Sequence, residues 1–170
     1  MVRAALEFEW TWTADDLPAF AERVGWHVGG LDQPSPTITT DFDLNRTDAM
    51  AFLDDTDDTG GHRPLQQIWC YFTDVVLDDP DAKPLLSNAF DEFAQRVFDL
   101  VGQRPNGWWW RDPNRSLRWD LANVVLELSV SDTSADIALV SPAYRAFQDE
   151  IDSRIDSEQT PDLDTVWPLN

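Results

Sequence analysis

At 170 residues with 42% hydrophobic content, the chain can bury one sizeable core but not two, so a single domain is expected over residues 1–158 with a polar tail over 159–170. Acids outnumber bases 32 to 12, for a net charge of −20, and a field of that size repels nucleic acid and anionic membrane while speeding encounter with a basic protein. No run of about 18 apolar residues is available to span a bilayer, and acid arrives at Glu7 and Glu9 before any signal-type stretch forms, which points to a cytoplasmic protein. The same acidity is equally consistent with plain solubility or with a salt-adapted or compositionally biased proteome.

Residues 7–12 alternate polar and apolar positions as a short strand does, although Ala4, Ala5 and Leu6 equally open a helical turn. Thr13, Asp15 or Asp16 then caps a helix that turns Leu17, Phe20 and Val24 inward, tolerates Pro18 in its first turn and ends at Gly25. Residues 26–28 read as a short strand. Residues 37–44 alternate cleanly, with Ile38, Thr40, Phe42 and Leu44 on a buried face and Thr39, Asp41 and Asp43 on a wet, acidic one. Residues 48–53 fit a strand or a helical turn. Residues 54–61 form a loop, because Asp54, Asp55, Asp57 and Asp58 repel one another and paired glycines favour neither ladder nor helix. Residues 67–77 are almost wholly apolar, which is the pattern of a central strand covered on both faces.

A central amphipathic helix follows over residues 84–102. Leu86, Phe90, Phe93, Ala94, Val97 and Val101 recur at three- and four-residue steps, while Asp91, Glu92, Gln95, Arg96 and Asp99 take the other side. Pro84 suits the opening turn, and Gly102 suits a left-handed closing residue. The three tryptophans of residues 108–110 lead through a turn at 112–115 into strands over 116–121, 123–131 and 136–140, the last two joined as a hairpin by residues 132–134. Ser141 and Pro142 open a C-terminal helix, the serine oxygen capping free amides, with Tyr144, Phe147, Ile151 and Ile155 as its buried stripe. Val166 and Trp167 are able to pin the tail back. The expected fold is α+β, a mainly antiparallel sheet of about five to seven strands with helices packed on it.

Chemistry-bearing patterns are sparse. Asp55, Asp57, Thr59 and Gly60 match the early positions of a calcium-binding loop, but Gln66 stands where a bidentate Glu is needed. His27 and His62 lack metal-ligand spacing, and the lone Cys70 lies in an apolar strand where packing is its natural role. Asp15 with Asp16, and Asp78 with Asp79, are adjacent acids of the sort turns and caps use. No glycine-rich phosphate loop is present, and with the calcium pattern broken and the histidines and cysteine unsuitably spaced, neither a cofactor nor a metal is expected. Nine tryptophans call for more explanation. Trp108, Trp109 and Trp110 cannot all face one side of a strand, so either one side meets solvent or a partner, or helices cover both.

Trp10-Thr11-Trp12 with Asp16-Leu17-Pro18, then Arg118-Trp119-Asp120-Leu121, then Ser141-Pro142-Ala143-Tyr144 before the last helix together resemble an actinobacterial family of small acidic proteins of unknown function. That family is similar to immunity proteins encoded beside secreted polymorphic toxins, such as the immunity factor of the tuberculosis necrotizing toxin. The resemblance implies a non-enzymatic inhibitor, monomeric or weakly dimeric, that plugs the active site of a basic toxin domain, a NAD glycohydrolase or a nuclease. The surface expected to serve is Asp54, Asp55, Asp57 and Asp58, with Asp41, Asp43 and one or more of Trp108, Trp109 and Trp110. Two other classes compete: a small enzyme or ligand-binding domain with a pocket of Trp69, Tyr71, Trp119 and a buried acid, and an acidic helper or structural protein.

Overall fold

The computed structural model describes residues 1–33, 36–54, 62–77, 79–111, 114–153 and 162–167. Helices α1 (Val2–Glu7) and α2 (Asp16–Val24) come first, then strands β1 (His27–Gly29), β2 (Thr37–Thr39), β3 (Asp48–Leu53) and β4 (Leu65–Tyr71). The long helix α3 (Ala82–Val101) leads to β5 (Gly107–Arg111), β6 (Asn114–Asp120), β7 (Val125–Val130) and β8 (Ala135–Val140), and α4 (Pro142–Asp152) and α5 (Leu163–Val166) follow. Among the described residues the strands form one eight-stranded antiparallel sheet in the order β1-β2-β3-β4-β8-β7-β6-β5. Two four-stranded meanders therefore meet at β4 and β8, paired from Gln67 with Val140 to Tyr71 with Asp136. The α+β class is as expected, with eight strands rather than five to seven.

Successive strand side chains point to opposite faces, so the sheet divides its residues cleanly. One face carries Ile68, Leu117, Trp119, Leu126, Leu128 and Ile137, all essentially inaccessible. Against it α3 lays Leu86, Phe90, Ala94 and Val97, while Phe93 and Val101 of the same stripe sit half-buried at its rim. Leu17 and Phe20 of α2 join this core, and Gly25 and Gly102 close their helices at φ 79° and 76°, as their positions after the last turn require. Arg115 ties three elements together: it reaches the Ser87 carbonyl (3.1 Å) and hydroxyl (2.8 Å), donates to the Val166 carbonyl (2.8 Å), and lies over the Phe90 ring at 4.5 Å. Val166 and Trp167 are buried, Trp167 meeting Phe98 and Trp119 edge-on.

Several local expectations change. Residues 8–12 form no strand, since α1 takes the first residues and Thr13 makes only an isolated bridge to Pro64. Residues 48–53 are strand β3. Ladder pairing of β2 stops at Thr39, although Thr40 and Phe42 continue to turn inward. Strand β4 starts at Leu65 and stops at Tyr71, leaving Val75 and Val76 outside the sheet. Asp112 and Pro113 of the expected turn lie outside the described residues, and Asn114 and Arg115 belong to β6. The side chains of Asp15 and Ser141 make no cap hydrogen bond. Ser141 instead donates its backbone N–H to the Gln66 carbonyl (2.8 Å) and takes the first helical bond of α4 from Arg145 (2.9 Å).

The second face of the sheet is the larger departure. Tyr144 packs there with Trp69, Val125, Ala138 and Val140, but Trp69 and Tyr71 are only half-buried, so β4 is not covered on both sides. Phe147 is 58% exposed and Ile151 41%, whereas the spacing of α4 predicted a buried stripe. The apolar contact of the helix with the sheet comes from Tyr144 in its first turn, and Ile155 lies outside the described residues.

Candidate functional site

The segment before α2 is organised by one carboxylate. Asp16, 7% exposed, accepts from the backbone N–H groups of Thr11 (2.9 Å) and Trp12 (2.8 Å) and from the Thr11 hydroxyl (2.9 Å). Those bonds hold Trp12 at φ 56°, the one positive value among the described non-glycine residues. A non-glycine residue there stores about 1–2 kcal/mol of strain and persists only where surroundings over-determine it. They do so here: the Trp12 indole donates to the Asn123 carbonyl (2.9 Å), its carbonyl accepts from Leu65 (2.8 Å), and Trp10 stacks on it at 4.5 Å.

The turn so fixed forms one wall of a cleft of about 420 Å³. Trp12, Pro64 and Gln66 line one side, Tyr144 and Phe147 of α4 the other, and Asp54 stands at the end of β3. Asp54 is held by its own N–H to the Pro64 carbonyl (2.9 Å). At the same end, the Asp15 carboxylate meets the His62 ring. The cleft therefore combines three aromatic rings, one of them more than half exposed, with acid at its rim. That arrangement accepts an apolar side chain flanked by positive charge.

The residues expected to share a partner surface do not all gather here. Asp54 lines the cleft, while Asp55, Asp57 and Asp58 lie outside the described residues, as do Thr59 and Gly60 of the calcium pattern. Asp41 and Asp43 are exposed at the opposite end of β3, roughly 20 Å away along a six-residue strand. Trp108, Trp109 and Trp110 lie on β5, the far edge of the sheet, five strands and about 24 Å from β3. They split as strand geometry demands: Trp108 packs on the main core, Trp110 borders Lys83, Ser87 and Arg115 on the α3 face, and Trp109, 45% exposed, turns to the α4 face.

A separate polar cluster fastens α4 to the sheet. Arg145 contacts Glu127 of β7 (3.3 Å), Asp149 (2.7 Å) and Asp152 (2.9 Å), and Arg118 of β6 also reaches Asp149 (2.8 Å). Burial pulls against charge on Arg145, yet Asp149, Glu127 and Asp152 outweigh it and hold the guanidinium above its usual range. Burial likewise pushes the Glu127 carboxyl up, with Arg145 and Arg118 opposing only in part. Arg118 Nε lies 3.1 Å from Asp120 as an ion pair, too poorly aligned for a hydrogen bond.

Asp136 on β8 is pushed up to about 6, chiefly by burial, with Glu127 adding to the rise and the Trp69 indole bond (2.9 Å) opposing it. Burial pushes the Cys70 thiol up to about 12, with Asp136 adding to it, so little thiolate exists near neutrality. The pocket of Trp69, Tyr71 and Trp119 does not form: Trp119 is fully buried on the α3 face, and the other two look out from the opposite one. Among the described residues no three His, Cys, Asp or Glu side chains come together as a metal would need. No described helix is long and apolar enough to cross a membrane.

Trp12, Tyr144 and Phe147 were not singled out as partner residues by sequence. The available signal was Asp16 four and five residues after Trp12 and Thr11, close enough to close a turn, but nothing local brings that turn to α4. Fold and site define a small acid-rich α+β protein with a strained aromatic turn and an open cleft at one end of its sheet. The chain belongs to the family of unknown function DUF6301, which matches residues 1–141. Neither a curated protein nor a solved structure matches it. The matched residues include the Trp12 turn and the whole sheet and stop at the residue before α4.

Proposed function

We propose that this chain is a non-enzymatic immunity protein that binds a basic cognate toxin domain, a NAD glycohydrolase or a nuclease, and blocks its active site. The observation that carries the reading is the cleft of Trp12, Tyr144 and Phe147 beside Asp54, in a molecule of net charge −20. Toxins acting on NAD or nucleic acid carry cationic substrate sites, and an acidic rim competes for the same charges while an aromatic cleft seats an apolar side chain. Strain in the Trp12 turn supports it further, because such strain clusters at binding sites. The same features argue against a role limited to solubility, which needs no cleft.

The test is co-expression with the product of the adjacent gene. Relief of that product's toxicity, together with co-elution of the two proteins at a fixed ratio, is the expected result. A neighbour that is harmless alone, or toxicity that persists despite soluble expression of this chain, overturns the reading.

A further inference from the structure

A second cavity lies on the α3 face, between the start of α1, the C-terminal half of α3 and the Phe42 segment. It measures about 250 Å³ and is walled by Met1, Phe42, Phe72, Phe93, Val97 and Leu100. Phe72 and Phe93 stack at 4.3 Å to form its firmest side. Among the described residues of the wall, Arg96 carries the one charged side chain. Arg23, Arg46, Arg104, Arg115, Arg118 and Arg145 each hold a carboxylate, whereas Arg96, like Arg3 and Arg111, makes no ion pair or hydrogen bond among the described residues, and Arg96 alone of these three borders a described cavity. An apolar hollow with one unengaged guanidinium at its edge is complementary to a molecule with an apolar body and a carboxylate head, which the planar fork receives in two parallel bonds. The volume falls just below the range of drug-sized sites, which limits the body to a medium-length acyl chain or a single aryl group.

We propose that this cavity, built by Phe72, Phe93, Val97 and Arg96, is a binding site for a small amphiphilic carboxylate. It lies at the opposite end of the sheet from the Trp12 cleft, so it stands independently of the toxin-binding reading. Occupancy seats the carboxylate on Arg96 and the chain against the stacked phenylalanines, and it leaves the Asp54 end untouched.

Methyl NMR on protein labelled at valine and methionine, titrated with octanoate, tests this directly. The Val97 methyls are expected to shift saturably, while Met50, exposed on the other face of the sheet, stays in place. 1-Octanol and octylamine, of equal length, are expected to bind at least tenfold more weakly. Arg96→Gln is expected to lower octanoate affinity about tenfold without changing that for octanol, the effect of losing one charge-assisted pair. Arg96 is exposed, so this variant folds, and Leu100→Trp, which fills the mouth, is expected to abolish both. The proposal is overturned if octylamine binds as well as octanoate, if Arg96→Gln changes nothing, or if Met50 moves together with Val97.

Discussion

Asp16 satisfies two backbone N–H groups and a hydroxyl with one buried carboxylate, so its replacement strands donors as well as removing bonds. Asp16→Ala is expected to cost about 2–3 kcal/mol in urea unfolding, and to release Trp12 from its left-handed conformation with a change in near-ultraviolet dichroism. A loss below about 0.5 kcal/mol would mean that the turn holds itself. Asp136 works in the other direction. Its carboxyl is raised from 3.8 to about 6 by burial, so the native state keeps a proton that the unfolded chain has already released. The favourable contribution is fully present below about pH 4 and is lost as pH rises through 6, by up to about 3 kcal/mol. Asp136→Asn, which can still accept from Trp69, should match the parent protein at pH 3.5 and exceed its stability at pH 8 by about 1–3 kcal/mol. Equal stability at both pH values would show that the carboxylate is solvated after all. Neither role was legible from sequence. Asp16 read as one candidate for a helix cap because a cap and a backward-reaching turn place the same residue type at the same position, and Asp136 read only as the first residue of the strand over 136–140.

Helices α3 and α4 show what periodicity does and does not reveal. Both have apolar residues at helical spacing, and both were placed correctly along the chain. In α3 the stripe meets the sheet over its length, so Leu86, Phe90, Ala94 and Val97 are buried as the spacing implied. In α4 the same kind of stripe leaves Phe147 and Ile151 in solvent, because spacing identifies an apolar side without saying whether anything covers it. What docks α4 is largely polar: Arg145 on Glu127, a contact between residues distant in sequence that no local pattern announces. Arg145→Met should leave Glu127 half-buried without its ion-pair partner, with only the more distant Arg118 to offset its charge, and cost about 2–3 kcal/mol, while adding Glu127→Gln should recover at least half of that. A double variant no more stable than the single would assign the loss to packing of the arginine stem instead. Phe147→Ser, by contrast, should change stability by less than about 0.5 kcal/mol and, on the proposed function, weaken binding of the toxin domain tenfold or more, since an exposed aromatic there would contribute to association rather than to folding.

For the whole molecule, the question is whether a net charge of −20 acts as a diffuse field or through a particular contact. The fold separates these, because it places Asp54 beside the aromatic cleft and Asp41 and Asp43 about 20 Å away at the other end of β3. Reversing Asp54 and Asp55 to lysine changes the total charge by the same amount as reversing Asp41 and Asp43. A diffuse field would slow association with the proposed toxin partner equally in both variants, by roughly two- to threefold at low salt. A contact at the cleft predicts a larger fall for the Asp54 pair, about tenfold in association rate, together with faster dissociation, which the distant pair should not show. Both rate effects should shrink as salt approaches 1 M, where the screening length falls to about 3 Å, whereas the added dissociation of the Asp54 variant should persist to the extent that its contacts are short. Stopped-flow association at 0.05 and 0.5 M salt is sufficient to decide. Identical kinetics for the two variants would remove the cleft from the reading and leave the acidity as a property of the surface as a whole.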